Sequence, residues 1–149
     1  MTDRPITQLV VLGVLVVVTV VLGAVWRSRQ GRVRPAPARR DLAVDWAARG
    51  VRLGERVTFV QLSAEVCAPC RATARVLRGL AEREDGVVHH ELDVEEHLDL
   101  VRELGVLKTP TVLVLDAAGA QAARSSGGMS PAQARHALEA ALPVPAGAA

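Results

Sequence analysis

The only two cysteines of the chain stand as Cys67-Ala68-Pro69-Cys70, and three chemistries are open to a pair at that spacing. A purely structural cross-link is disfavoured, because a loop closed over two residues removes little conformational entropy from the unfolded chain. A zinc half-site would need four converging ligands. His89, His90, His97 and His136 offer imidazoles, but none has a spacing that pairs with the cysteines. The third chemistry is reversible thiol–disulfide exchange. It needs one thiol that ionises near neutral pH and a second that can attack the mixed disulfide made by the first, and two intervening residues on a helix place that second thiol one turn along.

The elements around the pair decide how such a thiol would ionise. Val57 to Leu62 (VTFVQL) is a β-branched, largely apolar run suited to a buried strand, and Ala74, Val76, Leu77, Leu80 and Ala81 recur at helical spacing over Cys70 to Glu84. Cys67 thus falls at a strand-to-helix junction, where free N–H groups and the helix dipole stabilise a thiolate. Downstream, Val87 to Asp93 reads as a second strand and Glu96 to Leu104 as a helix ended by Gly105. Thr111 to Leu115 follows as a third strand, Asp116 to Gly119 as a hairpin turn and Ala120 to Ser125 as a fourth strand. Ser130-Pro131 is an N-cap with a proline at the first helical position, opening a last helix through Leu142. The order βαβαββα, with its right-handed crossover, predicts an α/β domain: a four-stranded mixed sheet flanked by helices. Phe59, Trp26 and Trp46 are the only aromatics, so the core falls to Val, Leu and Ala.

The amino-terminal part serves a different purpose. From Pro5 to Trp26 there is no charged side chain and Leu9 to Leu22 is nearly all Val and Leu, a stretch of roughly 33 Å at ~1.5 Å per helical residue. In hydrocarbon only a helix satisfies this backbone, which overrides the β preference of valine. A cleaved signal segment is the alternative. Against it, the run is long for one, and the small-x-small triplet Ala36-Pro37-Ala38 is set off by four arginines and contains proline. Residues 1–40 hold seven arginines against Asp3 alone, whereas the rest of the chain has 11 basic and 15 acidic residues. An acidic domain argues against nucleic acid as a partner. Six of the arginines follow the apolar run and only Arg4 precedes it. The positive-inside bias therefore places the domain on the cytoplasmic side of a single-pass cell-membrane anchor, with an extracytoplasmic domain as the alternative.

The expected organisation is a tail over 1–5, a transmembrane helix over 6–26, an Arg/Pro-rich juxtamembrane linker over 27–40 and a lead-in over 41–54. In that lead-in a short helix would pack Leu42 and Trp46. The folded domain occupies 55–142, and 143–149 is a flexible tail.

The segment SAEVCAPCRATARVL, followed some forty residues on by LKTPTVLVLDAAG, resembles the thioredoxin family over about residues 55–142. The apolar helix with its Arg-rich exit resembles the small membrane-anchored thioredoxin-like proteins of actinobacteria. The resemblance implies a thioredoxin-like fold and a thiol–disulfide oxidoreductase with no cofactor and no metal. Its substrate would be a protein or low-molecular-weight disulfide, its electron donor a partner the sequence does not identify, and its helix would hold it to the membrane. Cys67 would be the attacking thiolate and Cys70 the resolving thiol, the two alternating with a redox-active disulfide. Pro110 would be the family's cis-proline. Thr109 would offer backbone hydrogen bonds to an extended substrate, Val66, Ala68 and Pro69 would border it, and Gly127 or Gly128 would line the groove.

Three departures stand out. Val66 replaces the family's tryptophan, Gln61 replaces a buried aspartate that assists the resolving thiol, and Glu91 is nearest to the place of a paired lysine. Glutamine accepts no proton, so assistance falls to water, to Glu65 or to nothing. A binding module, or a slow redox relay using the cis-proline groove without efficient turnover, is the competing expectation. Pro69 before Cys70, with no histidine between the cysteines, leans toward a reducing potential. His89, His90, the acidic group Glu91, Asp93, Glu95, Glu96 and Asp99, and Trp46 all read as structural.

Overall fold

The computed structural model describes residues 3–29, 33–35 and 44–142. The chain divides into two units, residues 1–30 and 31–149. The first is one helix, α1 (Asp3–Arg29), which runs past the expected 6–26 at both ends. Its stretch Thr7–Val25 is long and apolar enough to cross a membrane, and none of it is buried by protein. The hydroxyl of Thr19, midway along, donates to the Leu15 carbonyl at 2.8 Å, so this polar group carries its own partner into an apolar setting.

The second unit is built on β2 (Val57–Ser63), β3 (Val87–Asp93), β4 (Thr111–Asp116) and β5 (Gln121–Ser126), with helices α2 (Ala68–Ala81), α3 (Leu98–Glu103) and α4 (Pro131–Ala141). β2 and β3 are parallel, and β2–β4 and β4–β5 are antiparallel, which is the mixed four-stranded sheet expected of βαβαββα. A two-residue strand, β1 (Arg34–Pro35), pairs antiparallel with β5 and extends the sheet to the order β1-β5-β4-β2-β3. It comes from the segment expected to be linker. A proline suits this place, since an edge strand has one side on which no N–H is needed.

Alternation along the strands sorts two cores. Val57 and Phe59 of β2, Val112 and Val114 of β4 and Ala123 of β5 pack with Leu77 and Leu80 of α2 and with Ala134, Ala137 and Leu138 of α4. Val60, Leu62, Leu113 and Leu115 face the other way, onto Leu100, Leu104, Trp46 and Val51. A one-residue slip of β2 would exchange the two sets, so its register is strongly fixed. The N-cap expected at Ser130 is present and forms half of a capping box, its hydroxyl accepting from Gln133 N–H and the Gln133 side chain accepting from Ser130 N–H.

Two elements are shorter than expected. The lead-in helix reduces to a single 3-10 turn, Ala47–Arg49, closed by Gly50 at φ +72°. Trp46 nevertheless acts as its anchor, buried and donating its indole N–H to the Gly119 carbonyl at 3.0 Å. α3 begins at Leu98 rather than Glu96, because the Asp93 carboxylate accepts from Glu95 N–H and His97 bonds the Asp93 carbonyl, which holds this stretch in a turn. Leu42, most of the linker and the 143–149 tail lie outside the described residues.

Candidate functional site

β2 ends at Ser63 and α2 starts at Ala68, so Cys67 is the N-cap of α2 with an extended backbone and Pro69 in the first helical turn. The Sγ of Cys67 accepts a hydrogen bond from Cys70 N–H at 3.2 Å. Sulfur therefore does what a capping oxygen usually does, and a thiolate would do it better, being charged and facing the positive end of the helix. Cys67 and Cys70 are joined as a disulfide, S–S 2.05 Å. Their environments differ: Cys67 is 9% exposed and Cys70 1%. Val66, which stands in front of the pair, is 93% exposed, and Ala68 and Pro69 are exposed as well.

Two further loops meet this turn. The Thr109–Pro110 peptide bond is cis, and the hydroxyl of Thr111 donates to Lys108 O at 2.8 Å, closing the turn around it. Pro110 is buried and Thr109 half-buried. After β5, Gly127 at φ +98° donates its N–H to Pro110 O at 2.8 Å, a conformation that favours glycine. A Cβ on Gly128 would come within 3.9 Å of Pro69 and of Thr73 Oγ1, and Met129 N–H donates to Thr73 Oγ1 at 3.0 Å. The loop 127–129 thus links the Pro110 turn to the start of α2. Cys67, Cys70, Pro69, Pro110 and the glycine pair, distant in sequence, gather at one end of the sheet. Two clefts of the domain lie elsewhere, one between α2 and α4 and one beside α3.

Beneath Cys70 the sheet carries a polar layer. The side chain of Gln61 is fully buried. Its Nε2 donates toward Cys70 O (3.0 Å), Ser63 Oγ (2.8 Å) and Glu91 Oε1 (3.2 Å), and Ser63 Oγ donates to the same Glu91 oxygen at 2.6 Å. Oε1 of Gln61 has no partner. Ser63 and this use of Glu91 were not anticipated from sequence; the signal lies in the parallel pairing that sets Gln61 opposite Glu91. Glu65, considered as a proton acceptor, is exposed.

His89 sits two residues before Glu91 on β3. Burial foremost pushes its pKa down to about 4, with Arg78 and His90 adding to this and Glu91 opposing it. Its Nε2 is buried without a partner. Among the described residues no three His, Cys, Asp or Glu side chains converge as a metal site.

A sheet of this order, with a Cys-x-x-Cys disulfide at the N-cap of the helix after its first long strand and a cis-proline turn beside it, belongs to the class of thiol–disulfide exchange domains. Residues 44–142 match the model of the thioredoxin-like domain family, and the chain belongs to the thioredoxin family. The match takes in Trp46 and Val51, which pack into the core. Among solved structures, the chain is similar to a point mutant of thioredoxin from Halobacterium salinarum NRC-1. The identity is 26% and the TM-score 0.54, over 60% of this chain and 78% of that one. It is also similar to chloroplastic thioredoxin z, at 29% identity and TM-score 0.53 over 66% of this chain and 84% of that one. Fasciola hepatica thioredoxin, at 24% identity and TM-score 0.52 over 59% and 83%, shares the fold. No curated protein matches the chain. The family and the Cys67–Cys70 pair together support thiol–disulfide oxidoreductase activity in general terms.

Proposed function

We propose that the chain is a membrane-tethered thiol–disulfide oxidoreductase that reduces disulfides of proteins or small molecules. The observation that carries this is the N-cap position of Cys67, whose sulfur takes the hydrogen bond of Cys70 N–H and is thereby disposed to ionise. The Cys67 thiolate attacks one sulfur of the substrate disulfide. That S–S bond breaks, the other substrate sulfur leaves as a thiolate and takes a proton, and a mixed disulfide remains. Cys70 gives up its proton and attacks Cys67 Sγ, the mixed disulfide breaks, and the second substrate thiol is released as the Cys67–Cys70 disulfide forms. A dithiol donor resets the pair by the reverse exchange. Thr109 and Pro110 supply the edge against which an extended substrate lies, and Val66, Ala68 and Pro69 are the apolar surface it meets.

The helix Thr7–Val25 is the tether, and the arginines after it favour a cytoplasmic domain. Full-length protein in detergent, given a dithiol donor, is expected to reduce a model protein disulfide. Cys67→Ser should lower turnover to below about 1%. Retention of a partner without turnover would replace this function by a binding module. An alkaline phosphatase fused after Ala149 should be inactive; an active fusion would move the domain across the membrane and give it an oxidising or an extracytoplasmic reducing role.

A further inference from the structure

The polar layer under Cys70 takes no part in the exchange steps above, yet its hydrogen bonds have only one self-consistent direction. An ionised carboxylate can only accept. The Ser63 hydroxyl therefore gives its single hydrogen to Glu91 Oε1 at 2.6 Å, and its oxygen accepts from Gln61 Nε2 at 2.8 Å. The amino end of Gln61 then faces three acceptors: Ser63 Oγ, Glu91 Oε1 and the Cys70 carbonyl. Reversing the amide would press Oε1 against the carboxylate and the carbonyl. Gln61 is locked, and Oε1 stays unpartnered in a fully buried residue, a burden an unconstrained amide would shed by turning.

We propose that Glu91 is a positioning residue for Cys70, acting through Ser63 and Gln61 to orient the buried amide and to keep Cys70 the less ionised thiol of the pair. The carboxylate oxygen is no more than two hydrogen-bond lengths from the Cys70 carbonyl, so it sets a negative charge on the buried side of Cys70, and a like charge on that side disfavours a thiolate. Cys67, by contrast, has the helix N-terminus. Two different groups thus move the acidities of the two thiols in opposite directions.

Other charged or titratable groups on the packed elements are Arg71, Arg75 and Arg78 on α2, His89, His90 and Asp93 on β3 and Asp116 on β4, with none on β2. Arg75 donates to Arg71 O and the Asp93 carboxylate takes Glu95 N–H. Glu91 alone of these, among the described residues, is hydrogen-bonded into the chain that reaches Cys70. β3 is the edge of the sheet and Glu91 is exposed there, which limits the size of the effect.

The inference rests on the exchange function proposed above. The test uses the reduced full-length chain in detergent with Cys67→Ser, so that Cys70 is the only thiol and its thiolate absorbance can be titrated. Adding Glu91→Gln should raise the Cys70 thiolate fraction at neutral pH about 3- to 10-fold, from loss of one nearby charge. Glu91→Asp, which keeps the charge, should return the titration toward the parent. If Glu91→Gln fails to fold, Glu91→Ala removes the same charge from the exposed edge strand and should move the titration in the same direction. An unchanged titration, or one moved to higher pH, overturns the proposal. Turnover of the wild-type chain with no effect of Glu91→Gln sinks this inference alone, whereas a shifted titration in a chain without turnover sinks the function and leaves Glu91's role standing.

Discussion

The two cysteines lie three residues apart and live in different surroundings. Cys67 is the less buried of the two, with Val66, Ala68 and Pro69 exposed around it and the helix N-terminus on its sulfur. Cys70 faces inward, over a buried layer of Gln61 and Ser63 that ends in the Glu91 carboxylate. The outer half is apolar surface with one polarised sulfur; the inner half is polar and, at Gln61, dry. A dithiol pair is useful when its members are not equivalent, and here the asymmetry comes from what each side of α2 rests on.

The largest expected effect follows directly. With Cys70→Ser, Cys67 still attacks but nothing resolves the adduct, so mixed disulfides should accumulate and be released by reductant. With Cys67→Ser the remaining thiol is 1% exposed and lacks the N-cap position, so adduct yield should fall at least about tenfold. Non-reducing gels of the two variants give the ratio. Equal trapping would mean that the two halves are chemically alike.

A smaller effect should come from the inner layer. Gln61→Asp puts a buried carboxylate near the place where Nε2 now lies 3.2 Å from Glu91 Oε1, a like-charge pair that costs about 2–4 kcal/mol and raises the new carboxyl's pKa. Gln61→Leu fills similar space and forfeits only hydrogen bonds, for about 1–2 kcal/mol. Urea midpoints at neutral pH, read with unchanged slope, should rank wild type above Leu above Asp. A Gln61→Asp protein as stable as wild type would show the inner half to be wetter than its burial implies.

The outer half of the site was legible in the sequence because its parts are local. A β-branched run, a Cys-x-x-Cys and an apolar helical stripe follow one another directly, and the Lys108-Thr109-Pro110-Thr111 segment resembles its family counterpart in the same direct way. The inner half was not. Gln61 could be seen as an oddity, but Ser63 and Glu91 meet it only through the parallel register of β2 and β3, which no periodicity within either strand encodes. β1 escaped for a related reason: two residues carry no alternation, and Arg34–Pro35 is a strand only because β5 offers an unpaired edge. The lead-in helix failed because Gly50 closes it after one turn, and among its described side chains only Trp46 and Val51 are buried.

The smallest effect concerns His89, which borders the inner layer two residues from Glu91. Its folded pKa of about 4 lies below the ordinary 6.5, chiefly through burial. As pH falls below 6.5 the unfolded chain binds a proton here and the folded chain does not, so the folded state loses ground. The contribution is fully present above pH 6.5, declines down to about 4 and is flat below that. The ring is partly exposed, so solvent screening reduces the loss to about 1–2 kcal/mol. His89→Gln keeps a polar side chain without a proton to gain. The stability difference between wild type and His89→Gln, followed by urea unfolding, should therefore change across pH 6.5 to 4 and nowhere else. Glu91 opposes the depression, so Glu91→Gln should carry the decline to still lower pH. A difference that stays constant across the window would place His89 in water, and with it the rim of the layer on which the contrast between the two cysteines depends.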